Sequence, residues 1–197
     1  DPSILPKLGD ADLAFVIDPV DGTINFASGL PLFGVMLAVV VKGETVLGMI
    51  YDPVGKDLLI GVRGAGSHLR HSDGRLERCS VAPALPVTEM VGAVSWNHMQ
   101  EPERSLIAKN HARFRASFNY RVAAHEYRLL ATGFAHFLVY NKLMPWDHAA
   151  GVLIHSEAGG YSALLDGSPY DATRHDGGII SAPDLETWTL IKSELVG

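Results

Sequence analysis

The chain has 197 residues, 47% of them hydrophobic, a formal net charge of −6 and one cysteine, Cys79. An acidic chain with no basic stripe argues against a nucleic-acid partner. A single thiol excludes an intrachain disulfide and a zinc site built on several thiolates, and it fits a reducing, cytoplasmic setting. The most apolar run, Leu30 to Val41, is broken by Pro31 and Gly34 and is too short to span a membrane. No signal peptide is visible. The chain opens at Asp1 inside what reads as a loop, as a piece of a longer protein would.

Asp12 to Ile17 is short and apolar and reads as a buried strand ending at Asp18. Strands follow over Val35 to Val41, Thr45 to Tyr51 and Asp57 to Val62, with Lys42-Gly43-Glu44 and Gly64-Ala65-Gly66 as turns. Strands joined this closely predict an antiparallel sheet. A weakly marked linker over Cys79 to Pro86 divides the chain into 1–82 and 83–197. Beyond it, strands at Met90 to Ser95, Phe134 to Tyr140 and Ile179 to Ala182 alternate with helices. Those helices span Glu101 to His111, Val122 to Thr132, Trp146 to Ala158 and Leu185 to Leu195. The expected architecture is an α/β (α+β) layered sandwich, with an antiparallel sheet in the first half and a mixed α/β layer in the second.

Asp18-Pro19-Val20-Asp21-Gly22-Thr23 places two carboxylates three residues apart directly after a buried strand. Pro19 fixes one backbone angle and Gly22 permits an unusual one, so the turn can aim both acids at one point. Carboxylates that close repel unless a proton or cation lies between them, and a hard cation such as Mg²⁺ suits oxygen donors. If a helical turn starts at Gly22, its free amides add an anion site. The competing reading is an Asp-Gly turn with capping acids. Farther on, Asp147 lies in the first turn of a helix, where the helix dipole alone could account for it. Ala149, Ala150 and Gly151 would let that helix pack closely.

Taken together, Asp-Pro-x-Asp-Gly-Thr-x-Asn-Phe over Asp18 to Phe26 and Trp-Asp-x-Ala-Ala-Gly with Glu-Ala-Gly-Gly over Trp146 to Gly160 resemble the two signatures of the inositol monophosphatase family. Stretches Gly48 to Pro53 and Gly61 to Gly66 also look like that family. The resemblance implies Mg²⁺-dependent hydrolysis of a small phosphate monoester, with two or three ions per site. Asp18, the Val20 carbonyl, Asp21 and Asp147 would hold metal, with Asp18 bridging two ions. Gly22 and Thr23 would hold phosphate through backbone N–H groups, and the Thr23 hydroxyl would orient the attacking water. A homodimer and inhibition by Li⁺ are implied as well.

Two departures stand out. The resemblance implies N-terminal helices and a Gly-Glu-Glu metal-ligating element just ahead of Asp1, outside this chain. Either the native protein is longer, which is the favoured reading, or the fragment is inactive. Tyr140 and Arg121 stand where inositol-type members carry Glu and Gly, while Ala123 should still line the substrate pocket. The Ser28-Gly29-Leu30-Pro31 stretch resembles histidinol-phosphatase-like members, so histidinol phosphate is an alternative substrate beside other sugar or nucleotide phosphates, and a non-catalytic phosphate-binding descendant is an alternative class. Arg104, Arg113, Arg115, Arg121 and Arg128 read as a solvated face. The histidines read as surface or satisfied structural groups, with His68 and His71 in a loop. Ser95 and Ser181 lack a nucleophile elbow.

Overall fold

The computed structural model describes residues 2–96 and 98–197. β1 (Ala14–Asp21), β2 (Gly34–Val41), β3 (Glu44–Asp52), β4 (Asp57–Val62), β5 (Gly66–Arg70) and β6 (Leu76–Arg78) form one antiparallel sheet in sequence order. A second sheet holds β7 (Val91–Val94), β8 (Ala116–Phe118), β9 (Phe137–Tyr140), β10 (Tyr161–Leu164) and β11 (Ile179–Ala182), ordered β10-β11-β9-β7-β8. In it β7 runs parallel to β8 and β9, and β11 runs antiparallel to β9 and β10. The helices are α1 (Thr23–Ala27), α2 (Glu103–Asn110), α3 (Ala123–Ala131), α4 (Pro145–Glu157) and α5 (Leu185–Val196). This is the expected layered α/β architecture, antiparallel in the first half and mixed in the second.

α4 lies across β2, β3 and β4 of the first sheet and against α3. It comes so close because both sides of the contact are small. A Cβ on Gly48 of β3 would sit 2.6 Å from the Ala150 carbonyl oxygen, and one on Gly151 would run into the Tyr127 ring of α3. Met36, Ala38, Val40, Ile50 and Leu59 of the sheet join Tyr127, Leu130 and Ile154 of the helices in one core. That core draws on both sides of residue 82. Val94, Phe137 and Ile180 of the second sheet pack with Ile107, Trp188 and Ile191 of α2 and α5 in another. The alternate face of the first sheet leaves Phe15, Ile17, Tyr51 and Val62 exposed. Among the described residues, no helix is long and apolar enough to cross a membrane.

Several boundaries differ from the sequence reading. β1 runs on through Asp18 to Asp21, because Pro19 tolerates extended backbone and the strand keeps its partner β2 to Gly34. Phe134 is not in a strand: its N–H closes on the Leu129 carbonyl in a helix-ending turn around Gly133. The short strands β5, β6, β8 and β10 lacked enough apolar alternation to be read, and His68 lies in β5 rather than in a loop. Arg128 does not belong to a solvated face. It is half-buried and bridges Asp52 (3.0 Å) and Asp57, tying α3 to the β3–β4 turn.

Candidate active site

Ala14, Val16 and Asp18 share the face of β1 that looks toward α4, by the two-residue period of a strand. In a regular strand Asp21, three residues on, would point the other way. The ladder shifts register here: Asp18 pairs with Met36 and Asp21 with Gly34, so three steps along β1 match two along β2. Such a bulge turns a side chain over, and Asp21 is buried at 7% exposure on the side of α3 and α4. Gly22 then adopts φ 83°, a left-handed conformation natural to glycine, and α1 starts at Thr23. The Thr23 hydroxyl donates to the Val20 carbonyl oxygen at 2.9 Å, and the Val20 N–H donates to Asp18 Oδ1 at 3.0 Å.

The third carboxylate arrives on α4. Pro145 occupies the start of that helix, where no N–H is needed, and Asp147 falls in its first turn. His148 anchors this end. The Lys142 carbonyl can only accept, so His148 Nε2 carries the proton and donates to it at 2.7 Å, while Nδ1 accepts from the Tyr127 hydroxyl at 3.0 Å. Burial pushes the His148 pKa down to about 4, which keeps the ring neutral. Ligand oxygens of Asp18, Asp21 and Asp147 all lie within 4.8 Å of one another. Burial raises the pKa of each, to about 6 for Asp21 and about 7 for Asp147. Repulsion from neighbouring carboxylates adds to the rise at Asp21 and Asp147.

The remaining expected residues surround this cluster. Asp21 Oδ2 accepts from the Ala124 N–H at 2.5 Å, so it caps α3, whose own N-cap residue Val122 offers no side-chain bond. Ala123 is the first residue of α3 and is buried. Arg121 has φ 58°, the left-handed region where glycine is at ease. Its guanidinium donates to Asn25 Oδ1 at 3.1 Å. The Tyr140 hydroxyl has an internal partner, Glu126 Oε2, at 2.6 Å. Asn25 and Glu126 were assigned no role from sequence. Asn25 is buried on α1 and donates to the carbonyls of Leu32 and Tyr120. Glu126 was legible as a lone carboxylate among Ala123, Tyr127 and Leu130 on the buried side of α3.

The donors that converge are all oxygens, which suits Mg²⁺ rather than a thiophilic ion. The amides of Gly22 and Thr23 follow Asp21 directly, so groups that can bind a cation and groups that can bind an anion adjoin one another. The sequence pattern of the inositol monophosphatase family matches residues 3–195. The chain belongs to that family. It is similar to a Nus factor SuhB of Pasteurella multocida, 35% identical over 160 residues covering 80% of this chain and 59% of that one. It is also similar to an inositol-1-monophosphatase of Bacillus subtilis, 28% identical over 161 residues with the same two coverages, 80% and 59%. The chain thus spans about 59% of the length of these two relatives. Among solved structures, the extragenic suppressor protein suhB from Bartonella henselae superposes with a TM-score of 0.82 at 28% identity, covering 94% of this chain and 71% of that one. An inositol monophosphate-bound SaIMPase-II shares the fold, with a TM-score of 0.83 at 21% identity over 95% of this chain and 72% of that one.

Proposed function

We propose that the full-length protein hydrolyses a small phosphate monoester with Mg²⁺, and the convergence of Asp18, Asp21 and Asp147 carries this reading. These three side chains and the Val20 carbonyl would hold the cation. Thr23 uses only one of that carbonyl's two lone pairs. Of the Mg²⁺ ions held there, one would lower the pKa of an attacking water and another would offset charge on the leaving oxygen. The N–H groups of Gly22 and Thr23 would donate to the phosphate oxygens. Because Thr23 gives its hydroxyl proton to Val20, its oxygen is left to accept a hydrogen bond from water, which points the water's lone pair outward toward phosphorus. Ala123, Arg121 and Tyr140 border the alcohol side of the ester.

A site built to bind polyol hydroxyls through a carboxylate loses discrimination without it. Tyr140 in that place, with its hydroxyl turned to Glu126, and the cationic Arg121 favour an acyclic, aromatic or additionally anionic ester over inositol 1-phosphate. Histidinol phosphate belongs to that class. Homodimerisation and Li⁺ inhibition are parts of the same proposal. A second reading, a non-catalytic protein that binds a phosphate ligand, is favoured by the Nus factor name of the Pasteurella relative. Phosphate release by the full-length protein from a panel of monoesters, with Mg²⁺ and with EDTA, separates the two. EDTA-sensitive turnover is expected, and no turnover on any ester would favour the binding protein. Inositol 1-phosphate leading the panel tenfold in kcat/KM, about 1.4 kcal/mol, would contradict the substrate reading.

A further inference from the structure

We infer that Glu126 is a positioning residue for the acidic cluster: it holds the loop leading into α3, so that the Ala124 N–H meets Asp21 and sets the direction of its carboxylate. The inference rests on the metal-site reading above. Glu126 is 2% exposed and uses both oxygens internally, accepting from the Tyr120 N–H at 2.7 Å and the Tyr140 hydroxyl at 2.6 Å. The other end of the Tyr120 residue is gripped too, since Asn25 Nδ2 donates to the Tyr120 carbonyl at 2.7 Å. One residue of loop is thus held from α3 on one side and from α1 on the other.

That loop decides where the first turn of α3 lies. Arg121 takes its left-handed turn with its N–H on Asn119 Oδ1 at 2.9 Å. Val122 then packs against Gly22, where an added Cβ would stand 3.0 Å from its Cγ2. Two residues later Ala124 donates to Asp21. A carboxylate on the buried side of a helix costs free energy unless its hydrogen bonds are made. An apolar residue would pack there without that cost, so what Glu126 contributes is the loop geometry.

The test is Mg²⁺ binding by the full-length protein, read by titration calorimetry well below the melting temperature, alongside Tm in EDTA. Glu126→Ala is expected to weaken Mg²⁺ binding about tenfold, roughly 1.4 kcal/mol. Glu126→Gln keeps an oxygen for the Tyr120 N–H and should stay within about threefold of the parent. Parental affinity in folded Glu126→Ala overturns the inference and leaves a merely structural residue. Equal losses in Gln and Ala also overturn it, because charge rather than loop geometry would then be responsible. If Glu126→Ala does not fold, Glu126→Asp replaces it: its shorter side chain cannot span both partners, so a loss with Asp but not Gln supports the inference, and parental affinity in both overturns it. A parent protein that binds no Mg²⁺ overturns the metal reading itself, which distinguishes the two failures.

Discussion

Asp18 and Asp21 face the same side of the molecule although they are three residues apart on one strand, because β1 advances three residues from Asp18 to Asp21 while β2 advances two from Met36 to Gly34. Without that bulge one carboxylate would turn to the exposed face that carries Phe15 and Ile17. The same irregularity brings Asp21 to the first turn of α3, where it serves as both candidate ligand and helix cap.

Asp21→Asn should separate those two roles. The amide oxygen still accepts from Ala124, while one charge leaves a crowded cluster. In EDTA the variant is expected to melt at or above the parent temperature. In Mg²⁺ it should lose most of the parent's metal-dependent rise in Tm, and the full-length enzyme should lose nearly all phosphatase activity. A variant stabilised by Mg²⁺ as strongly as the parent would contradict the assignment.

The pH dependence of metal-free stability has a definite sign. Asp21 and Asp147, raised to about 6 and about 7, bind protons more tightly folded than unfolded. Their contribution is therefore fully present below about pH 4 and is lost as pH rises through about 7. His148 and His155, lowered by burial to about 4 and about 3, act in the opposite direction below their ordinary value of about 6.5. The carboxylate effect is isolated by difference. The stability of Asp21→Asn minus that of the parent, from urea unfolding in EDTA, should grow between pH 4 and pH 8. A flat difference would mean that Asp21 is not perturbed.

Gly48→Val should be severely destabilising. Its Cβ would meet the Ala150 carbonyl at 2.6 Å, a backbone atom that moves only if α4 moves. Overpacking of this kind costs about 1–3 kcal/mol or more. Because α4 also carries Asp147, affinity for Mg²⁺ should fall with stability. Gly64→Ala, in the turn after β4 where nothing lies within 4 Å of the added Cβ, controls for loss of glycine itself: it carries only the strain of φ 76°.

Metal identity should matter as well as metal presence. Mg²⁺ enforces compact octahedral geometry, while Ca²⁺ is larger and loosely coordinated. Three carboxylates whose oxygens lie within 4.8 Å of one another should bind both ions, yet Ca²⁺ should inhibit turnover by the full-length enzyme. Full activity with Ca²⁺ alone, or in EDTA, would count against the mechanism.

Arg121→Gly tests the substrate reading from the other side. Glycine adopts φ 58° without the strain that an L side chain bears, about 1 kcal/mol. The substitution also gives up the bond to Asn25, so stability should change little. Relative kcat/KM for inositol 1-phosphate should rise against that for a doubly anionic ester. An unchanged ratio would remove Arg121 from the specificity determinants.

The local chain determined much of this protein by itself. Asp18-Pro19-Val20-Asp21-Gly22-Thr23 and the Pro145–Asp147 helix start are legible because turn, cap and capping-acid chemistry act over a few residues. The small residues Ala149, Ala150 and Gly151 announced a close helix contact, and Gly48 and Tyr127 supplied it. Only the tertiary structure decided the rest. Whether Asp147 meets Asp18 depends on α4 lying across the first sheet, and whether Asp21 faces them depends on a register shift against β2. The pairing of Tyr140 with Glu126 and the grip of Asn25 on Tyr120 likewise join residues from separate elements. Hydrogen bonds of that reach have no local periodicity, so a buried glutamate reads in sequence as any helix charge until its partners are brought to it by packing.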